Sequence, residues 1–517
     1  MPTGAETLVQ TLADTGVEVC FANPGTSEMH FLAALETPRI KSVLCLFEGV
    51  CTGAADGWYR MADRPAATLL HLGPGLANGL ANIHNAKRAS SGMVNVVGEH
   101  SLEHLKYDPP LTSDIAGLAR PLSHWVQLAE SASTIARDTA AAVAKANEHP
   151  GQIATLILPG NTAWEDAGTA AAPPVAAPQR KAPDAARIDA IAQVLRSGEP
   201  AMLVLANKST RAAPLELAGK IAAVTGARLG SQFFTARIER GAGRVPLERI
   251  PYAVPQALAF LKDIKHLILL ETREPVAFFA YPGRPSLLKG DDTQVHTLSA
   301  ADEDSTLALE MLVAALGAGN AAPAYQTASE IIMPSGKLDA ISIAHALCAG
   351  IPENGIVIDE SLTSGRESMS YTLGAAPHDM INNLGGSIGY SPPVATGAAL
   401  ACPDRRTLCL VGDGSAMYTI QALWTQAREQ LPVTTVVFAN NTYNILKAEF
   451  SNMGAGAAPG PRALSMIDID RPTIDWLAMA KSMGVPGVRV ETAEDFTAAL
   501  LNANRAEGPV LIEVKLY

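Results

Sequence analysis

An α/β fold of three doubly wound parallel-sheet domains is what the sequence predicts, and three observations carry it. Short apolar runs alternate with helical patterns along the whole chain, as at 42–47, 201–206, 266–270 and 355–358, which is the signature of strands buried on both faces. Two stretches rich in Ala, Pro and Gly, 166–189 and 316–337, interrupt those patterns and read as linkers. The 517 residues are also too many for one core. The segments 1–165, 190–315 and 338–517 are therefore each expected to form a domain. Hydrophobic residues at 48% and charged residues at 17% describe a well-buried protein with extensive interfaces. A net charge of -12 without a basic patch argues against a nucleic-acid partner. The six cysteines show no CxxC and no framework, so free thiols in a reducing compartment are expected. The chain starts without a basic-then-apolar leader and holds no bilayer-length apolar run, and a cytoplasmic enzyme without membrane attachment is expected.

Taken in order, the first block opens with the apolar Val19-Cys20-Phe21 run and the turn Asn23-Pro24-Gly25-Thr26-Ser27-Glu28. The run 42–47 ends at Glu48, followed by a helix of small residues through Arg60. A carboxyl group where a buried strand meets a helix is costly unless it is hydrogen-bonded or faces a basic ligand nitrogen; a helix N-terminal carboxylate is the plainer alternative. His71 closes the next apolar run before Gly73-Pro74-Gly75, where a histidine can move protons near neutral pH. His84, Lys87 and Arg88 lie on the helix that follows and read as structural or interface groups. The middle block shows no convincing Gly-x-Gly-x-x-Gly.

The last block carries the most specific signal. The strand-type run 407–411 leads into Gly412-Asp413-Gly414-Ser415, a helical stretch is expected over 416–430, and the strand-type run 433–438 leads into Asn440-Asn441-Thr442-Tyr443. In a parallel sheet both turns fall beyond the carboxyl ends of their strands, where open α/β sheets bind ligands. Glycines beside Asp413 admit a phosphate, and a carboxylate, an amide oxygen and a backbone carbonyl are hard ligands suited to Mg²⁺. Alone, Gly-Asp-Gly-Ser would equally read as a tight turn with a Ser cap.

Glu48 with its Gly-x-x-x-Gly-Ala-Ala-Asp-Gly-Trp-Tyr-Arg continuation, together with Gly412-Asp413-Gly414 and Asn440, resembles the thiamine diphosphate enzymes related to benzoylformate decarboxylase, pyruvate decarboxylase and the acetolactate synthase large subunit. The resemblance covers the whole chain and implies a pyrimidine-binding domain (1–165), a central domain (190–315) and a diphosphate- and Mg²⁺-binding domain (338–517). It implies that Asp413, Asn440 and the Thr442 carbonyl hold Mg²⁺, with Gly414, Ser415 and Tyr443 beside thiamine diphosphate. Glu48 would contact N1′ of the aminopyrimidine, Ile388 would wedge the cofactor into its bent shape, and the Gly386 carbonyl would accept from the 4′-amino group. Thr26, His71 and Leu446 fall at substrate-pocket positions, with His71 as a second catalytic residue beside Glu48. The family chemistry runs through a C2 carbanion and an enamine, and the implied assembly is a homodimer or homotetramer in which Glu48 faces Asp413 of a second copy.

Several residues separate the branches of that family. The central-domain histidine of benzoylformate decarboxylases is replaced by aromatic residues in 276–283, which puts a second proton shuttle in question. Leu446 replaces the glutamate that pyruvate decarboxylases carry, and their adjacent histidine pair is absent, although His100 and His104 lie nearby. Gly49 stands where acetolactate synthases carry glutamine, and their flavin is not expected. The main reading is a non-oxidative 2-oxo acid decarboxylase with carboligase capability, benzoylformate decarboxylase-like. The alternatives are an acetolactate synthase-like transferase, or a lyase acting on a hydroxy ketone or hydroxyacyl thioester. A nicotinamide oxidoreductase lacks its glycine fingerprint here. A binding-only protein would have no chemical need for Glu48. Lys447 and Glu449 read as a solvated helical face or as pocket groups, and 454–460 as a surface loop or a lid.

Overall fold

The computed structural model describes residues 1–168, 171–173, 175–176 and 178–516. Three α/β sheets organise them. The first is six-stranded and wholly parallel, in the spatial order Lys41–Leu44, Val19–Ala22, Ala66–Leu70, Met93–Glu99, Ile153–Pro159, Trp125–Leu128. The second is five-stranded and parallel: Glu248–Arg249, Arg228–Ser231, Ala201–Leu205, His266–Leu270, Gln294–Ser299. The third runs Gly487–Val490, Val510–Lys515, Val433–Ala439, Thr407–Gly412, Gly355–Glu360, His378–Asn382, all parallel, and is closed by Ile238–Arg240. That seventh strand is antiparallel and comes from the middle of the sequence, so the middle segment lends an edge to the last sheet.

Helices cover both faces of the sheets, which explains why the strands read as unbroken apolar runs. Side chains alternate between two cores: Cys20 and Ala22 pack with Leu69 and Val96, whereas Val19 and Phe21 pack on the other face with Leu70 and Val97. In the last sheet Leu408 and Leu410 join Val436, while Cys409 and Val411 join Val437. Burying each of the Val, Leu and Phe side chains among them stabilises by roughly 1.5–3 kcal/mol.

Two local expectations are corrected. The single helix expected over 416–430 is broken into Asp413–Ala416 and Ala422–Arg428. Between them the chain turns so that the Thr419 hydroxyl donates to the Gly389 carbonyl at 2.7 Å, a demand from a distant loop that outweighs local propensity. Within the expected linker 166–189, the helix Ala185–Arg196 already starts, capped by Asp184 accepting from the Ala186 amide; residues 169, 170, 174 and 177 lie outside the described residues. Among the described residues no helix is long and apolar enough to cross a membrane.

The helix Glu48–Ala62 meets the helix Ser391–Ala401 almost backbone to backbone, and this is the physical reason for its small residues. A Cβ on Gly57 would stand 2.0 Å from the Val394 carbonyl oxygen, and one on Gly397 would stand 1.8 Å from that of Ala54. At the end of this seam Arg60 is buried with Asp56, joined by two hydrogen bonds of 2.8 and 2.7 Å. The same guanidinium donates to the carbonyls of Asn382 at 2.7 Å and Ala236 at 3.3 Å, so one side chain binds all three segments together. Arg237 answers from the middle segment, donating to the Arg60 carbonyl at 3.0 Å and to Asp379 at 2.5 Å.

Replacing Arg60 by Met strands the buried Asp56 carboxylate and is expected to cost about 3–5 kcal/mol, seen as a lowered midpoint in scanning calorimetry; the double variant Arg60→Met/Asp56→Leu should recover part of it. His378 gives a pH signature. It is buried, its Nδ1 donates to the Ala376 carbonyl, its Nε2 has no partner, and burial lowers its pKa from 6.5 to about 4. The unfolded chain takes up the proton first, so stability is expected to fall as pH drops from 6.5 toward 4, by up to about 3 kcal/mol. Urea midpoints against pH should show this slope, and His378→Gln should flatten it.

Candidate active site

Asp413 begins a short helix at the carboxyl end of the strand Thr407–Gly412 and is only 2% exposed. Its Oδ1 accepts the Gly414 amide at 2.8 Å and its Oδ2 accepts the Asn441 amide at 2.6 Å, which locks the two loops that follow neighbouring strands. Burial raises its pKa from 3.8 to about 6 against the pull of these amides. Among the described residues no basic side chain lies within ion-pair distance of it, so its charge is left for a cation to offset.

The facing loop is shaped to add oxygens. Asn441 takes a left-handed φ of 57°, the Asn440 Oδ1 accepts the Thr442 amide at 3.0 Å, and the Thr442 carbonyl accepts from Asn444 at 2.9 Å with a lone pair remaining. The Thr442 hydroxyl donates to Asp468 at 2.7 Å, and Asp468 in turn pairs with Lys447 at 2.8 Å. Lys447 therefore braces this turn through Asp468. The Tyr443 ring lies where a Cβ on Gly414 would be, 2.3 Å away, whereas a Cβ on Gly412 would meet nothing within 4 Å. One carboxylate, one amide oxygen and one carbonyl are the hard oxygen donors that suit Mg²⁺, and the space beside Gly412 suits an attached diphosphate. Ser415 is buried beside them.

The loop before the helix Ser391–Ala401 is held from both ends. Asn383 Oδ1 accepts the amides of Gly385 and Gly386, and Glu360 accepts those of Gly389 at 2.7 Å and Ser391 at 3.0 Å together with the Ser391 hydroxyl. Burial pushes Glu360 up to about 7 in spite of these donors. Gly386 has a φ of 77° and Ile388 is half-buried. A Cβ on Gly386 would stand 2.7 Å from the Phe278 ring, so this aromatic from the middle segment overhangs the loop. Phe278 packs edge-to-face with Phe234 and Phe279 and at a tilt with Tyr252. Glu449 faces the same wall, where its charge acts on Tyr252 and Tyr281. Leu446 is exposed one turn earlier on the helix Asn444–Asn452.

A second set stands on the first sheet. Glu48 is the first residue of its helix, 6% exposed, and its Oε2 accepts from Asn78 at 3.0 Å. His71 occupies the cap position of the helix Leu72–Arg88, with Nδ1 2.8 Å from Glu28 Oε2, which also accepts the Gly25 amide at 2.7 Å. Glu28 is buried, its other oxygen has no partner, and burial raises its pKa. The hydrogen bond between Glu28 and Nδ1 fixes the ring orientation and leaves the contact of Nε2 to a ligand. Thr26 is exposed in the same turn, and His100 lies close enough to His71 for their charges to repel. Glu28 and Asn78 were missed as functional residues in the sequence reading. An acidic residue three places after Gly25 was visible there, but its contact with His71 was not.

Among the described residues no hydrogen bond or ion pair joins the Glu48–His71 set to the Asp413–Asn440 set within one chain. Asn78, which touches Glu48, and Asn85, which donates to the Ser387 carbonyl, stand about 10 Å apart along one helix.

Two loops that interlock around a buried carboxylate, with a second carboxyl at a distant helix start, define a class of cofactor enzyme, and the comparisons agree. Residues 2–127 match the thiamine pyrophosphate enzyme N-terminal TPP binding domain, and residues 365–514 match the C-terminal TPP binding domain. The chain belongs to the thiamine pyrophosphate enzyme family and is a thiamine diphosphate- and Mg²⁺-dependent carbon–carbon lyase or carboligase. It is 50% identical to the "Putative acetolactate synthase large subunit IlvX" of Mycobacterium tuberculosis, over 99% of this chain and 98% of that protein. It is 26% identical to benzoylformate decarboxylase of Pseudomonas aeruginosa, over 96% of each. In fold it is similar to the thiamine diphosphate-dependent 4-hydroxybenzoylformate decarboxylase of Rhodococcus jostii RHA1, with a TM-score of 0.85 over 99% of each chain at 23% identity.

Asp413→Asn removes the buried charge while keeping the shape. It is expected to weaken Mg²⁺-supported thiamine diphosphate binding about 10–100-fold in a calorimetric titration, with an unchanged circular dichroism spectrum.

Proposed function

We propose that this protein is an acetolactate synthase-like enzyme: it takes a 2-oxo acid, releases CO₂, and joins the remaining acyl group to the carbonyl of a second 2-oxo acid or an aldehyde. The observation that carries this reading is the end-to-end relative at 50% identity whose name gives that activity. The wall above Gly386 supports it physically. Phe278 and Phe279 stand there where a histidine would offer a proton, and they leave an apolar surface for the body of a second carbonyl compound.

In this reading Asp413, Asn440 and the Thr442 carbonyl hold Mg²⁺, with Gly414, Ser415 and Tyr443 beside the diphosphate. Gly386 and Ile388 would support the aminopyrimidine end, and Glu48 would hydrogen-bond its N1′. Thiamine diphosphate, when bound, supplies the nucleophilic carbon and the electron sink for loss of CO₂. Asn78 keeps the Glu48 carboxyl aligned, and Glu28 holds the His71 ring so that Nε2 can move a proton at the substrate oxygen. Thr26 and Leu446 border the substrate.

Because Glu48 and Asp413 are not joined within one chain, we assign them to one site formed by two copies, as a homodimer or a homotetramer. Leu46, Met417, Tyr418 and Leu446 are exposed apolar residues on the segments that would meet, and the helix Asn444–Asn452 has no buried residue of its own.

A second reading, a decarboxylase ending in an aldehyde, is favoured by the His71–Glu28 pair, which is built to deliver a proton. NMR analysis of products from pyruvate and from benzoylformate, with thiamine diphosphate and Mg²⁺, separates the two. Acetolactate from pyruvate is the expected result; accumulation of acetaldehyde or benzaldehyde would replace it with the decarboxylase reading. Glu48→Gln should lower kcat by about 100-fold or more with either substrate. Glu28→Gln should lower it by about 10–100-fold without altering cofactor affinity.

A further inference from the structure

A cavity of about 720 Å³ lies between the middle sheet and the last domain, lined in part by the edge strand Ile238–Arg240 and by none of the candidate cofactor residues. Its walls come from the helix Ala212–Thr225, the strand Arg228–Ser231, the strap around Ala322–Gln326 and the segment 366–373. The body of the wall is apolar, with Leu229, Val245, Pro323 and Leu373 among its residues. Its charge is one-sided. Arg240, Arg244, Arg249 and Arg366 line it against a single carboxylate, Glu248, which is already held by Arg228 at 2.5 Å. Four guanidinium groups in one cavity stand out in a chain whose net charge is -12.

Two of the four are poorly compensated. Arg240 is 5% exposed, and its guanidinium donates to the Met369 carbonyl at 2.6 Å and to the sulfurs of Met369 at 3.0 Å and Met380 at 3.3 Å. Thioether sulfur is a weak acceptor and offers no charge. Arg249 donates to the Phe233 carbonyl at 2.5 Å and lies over the Phe233 ring, 3.5 Å from its centre. Among the described residues neither has a carboxylate within ion-pair distance. Burial, aided by repulsion from Arg249, pushes Arg240 down to about 10, and burial does the same to Arg249; the Asp359 carboxylate, beyond ion-pair distance, offsets this only in part for each. Buried guanidinium groups are ordinarily paired, and Arg is the side chain best shaped for a forked grip on carboxylate or phosphate.

We propose that this cavity is a binding site for a small organic anion, a carboxylate or phosphate group on an apolar body, separate from the thiamine diphosphate site. The volume suits a ligand of nucleotide size or smaller. The anion would neutralise Arg240 and Arg249, and Arg366 at the exposed rim would receive it. Its occupant would also fasten the strand Ile238–Arg240 to the segment 366–373 at the edge of the last sheet.

The test is isothermal titration of the holoenzyme, saturated with thiamine diphosphate and Mg²⁺ so that the diphosphate site is filled, with inorganic phosphate, ADP and succinate in turn. Saturable binding of at least one probe is expected, weakened tenfold or more in Arg249→Met and in Arg366→Ala, with partial recovery in Arg249→Lys. Phosphate or ADP binding would assign a phosphate ligand, and succinate binding a carboxylate. Arg366 is on the surface, so its variant keeps the test sound if the Arg249 variants fail to fold. No saturable binding of any probe, or binding undiminished in folded variants, would overturn the proposal.

Discussion

The buried pair of Arg60 and Asp56 is the constraint on which the arrangement of the three segments depends. A guanidinium taken out of water needs every donor satisfied, and here the acceptors come from its own helix, from Asn382 on the last sheet and from Ala236 in the middle segment. Moving the last or the middle segment would leave buried guanidinium donors without their carbonyl acceptors, so the pair acts as a registry device. The glycines that precede it on the same helix make the contact possible, because the two backbones must be close before Arg60 can reach across. Asn382 in turn leads directly into Asn383, whose side chain shapes the Gly385–Gly386 turn. Scaffold and candidate cofactor loop are thus one hydrogen-bonded unit.

What the sequence disclosed and what it hid follow from the range of the interactions. The three-sheet α/β architecture was legible because strands buried on both faces must be apolar throughout. Asp413 and Asn440 stood out as candidates because each follows directly on such a strand, and Glu48 because it opens a helix of small residues after the edge strand Lys41–Leu44. Glu28 did not, since its significance lies in a hydrogen bond to a histidine 43 residues away. The strand Ile238–Arg240 was invisible for a related reason: three residues carry no periodicity, and their pairing partner lies in another block. The break in the stretch 416–430 was set by the Gly389 carbonyl, again from outside the local window. Lys447 shows the middle case, a residue correctly noticed but placed by a partner, Asp468, that spacing does not reveal.

A common electrostatic theme runs through the protein. Asp413, Glu360 and Glu28 are carboxyl groups held away from water, each accepting backbone amides and each raised in pKa by burial. Amides stabilise such groups only in part, because each is a dipole and carries no net charge. The fold keeps Glu360 and Asp413 at strand ends, where Glu360 fixes a loop and Asp413 joins two, and it holds Glu28 in the short helical turn Thr26–Glu28. Preorganised polarity of this kind is what a cofactor needs, since the protein then has little to rearrange on binding.

The edge strand Ile238–Arg240 bears on how far this protein is modular. By sequence the middle block looks like a cassette that could be exchanged between relatives to alter the acyl group accepted. Yet the last sheet ends on three residues of that block, and the strand beside it, His378–Asn382, leads into the candidate cofactor loop. A chimaera that swapped the block without preserving this register would bare the hydrogen-bonding edge of a catalytic domain, a template for association with other chains. Recombination within such a lineage is therefore restricted to crossover points that move the borrowed strand together with the sheet it completes.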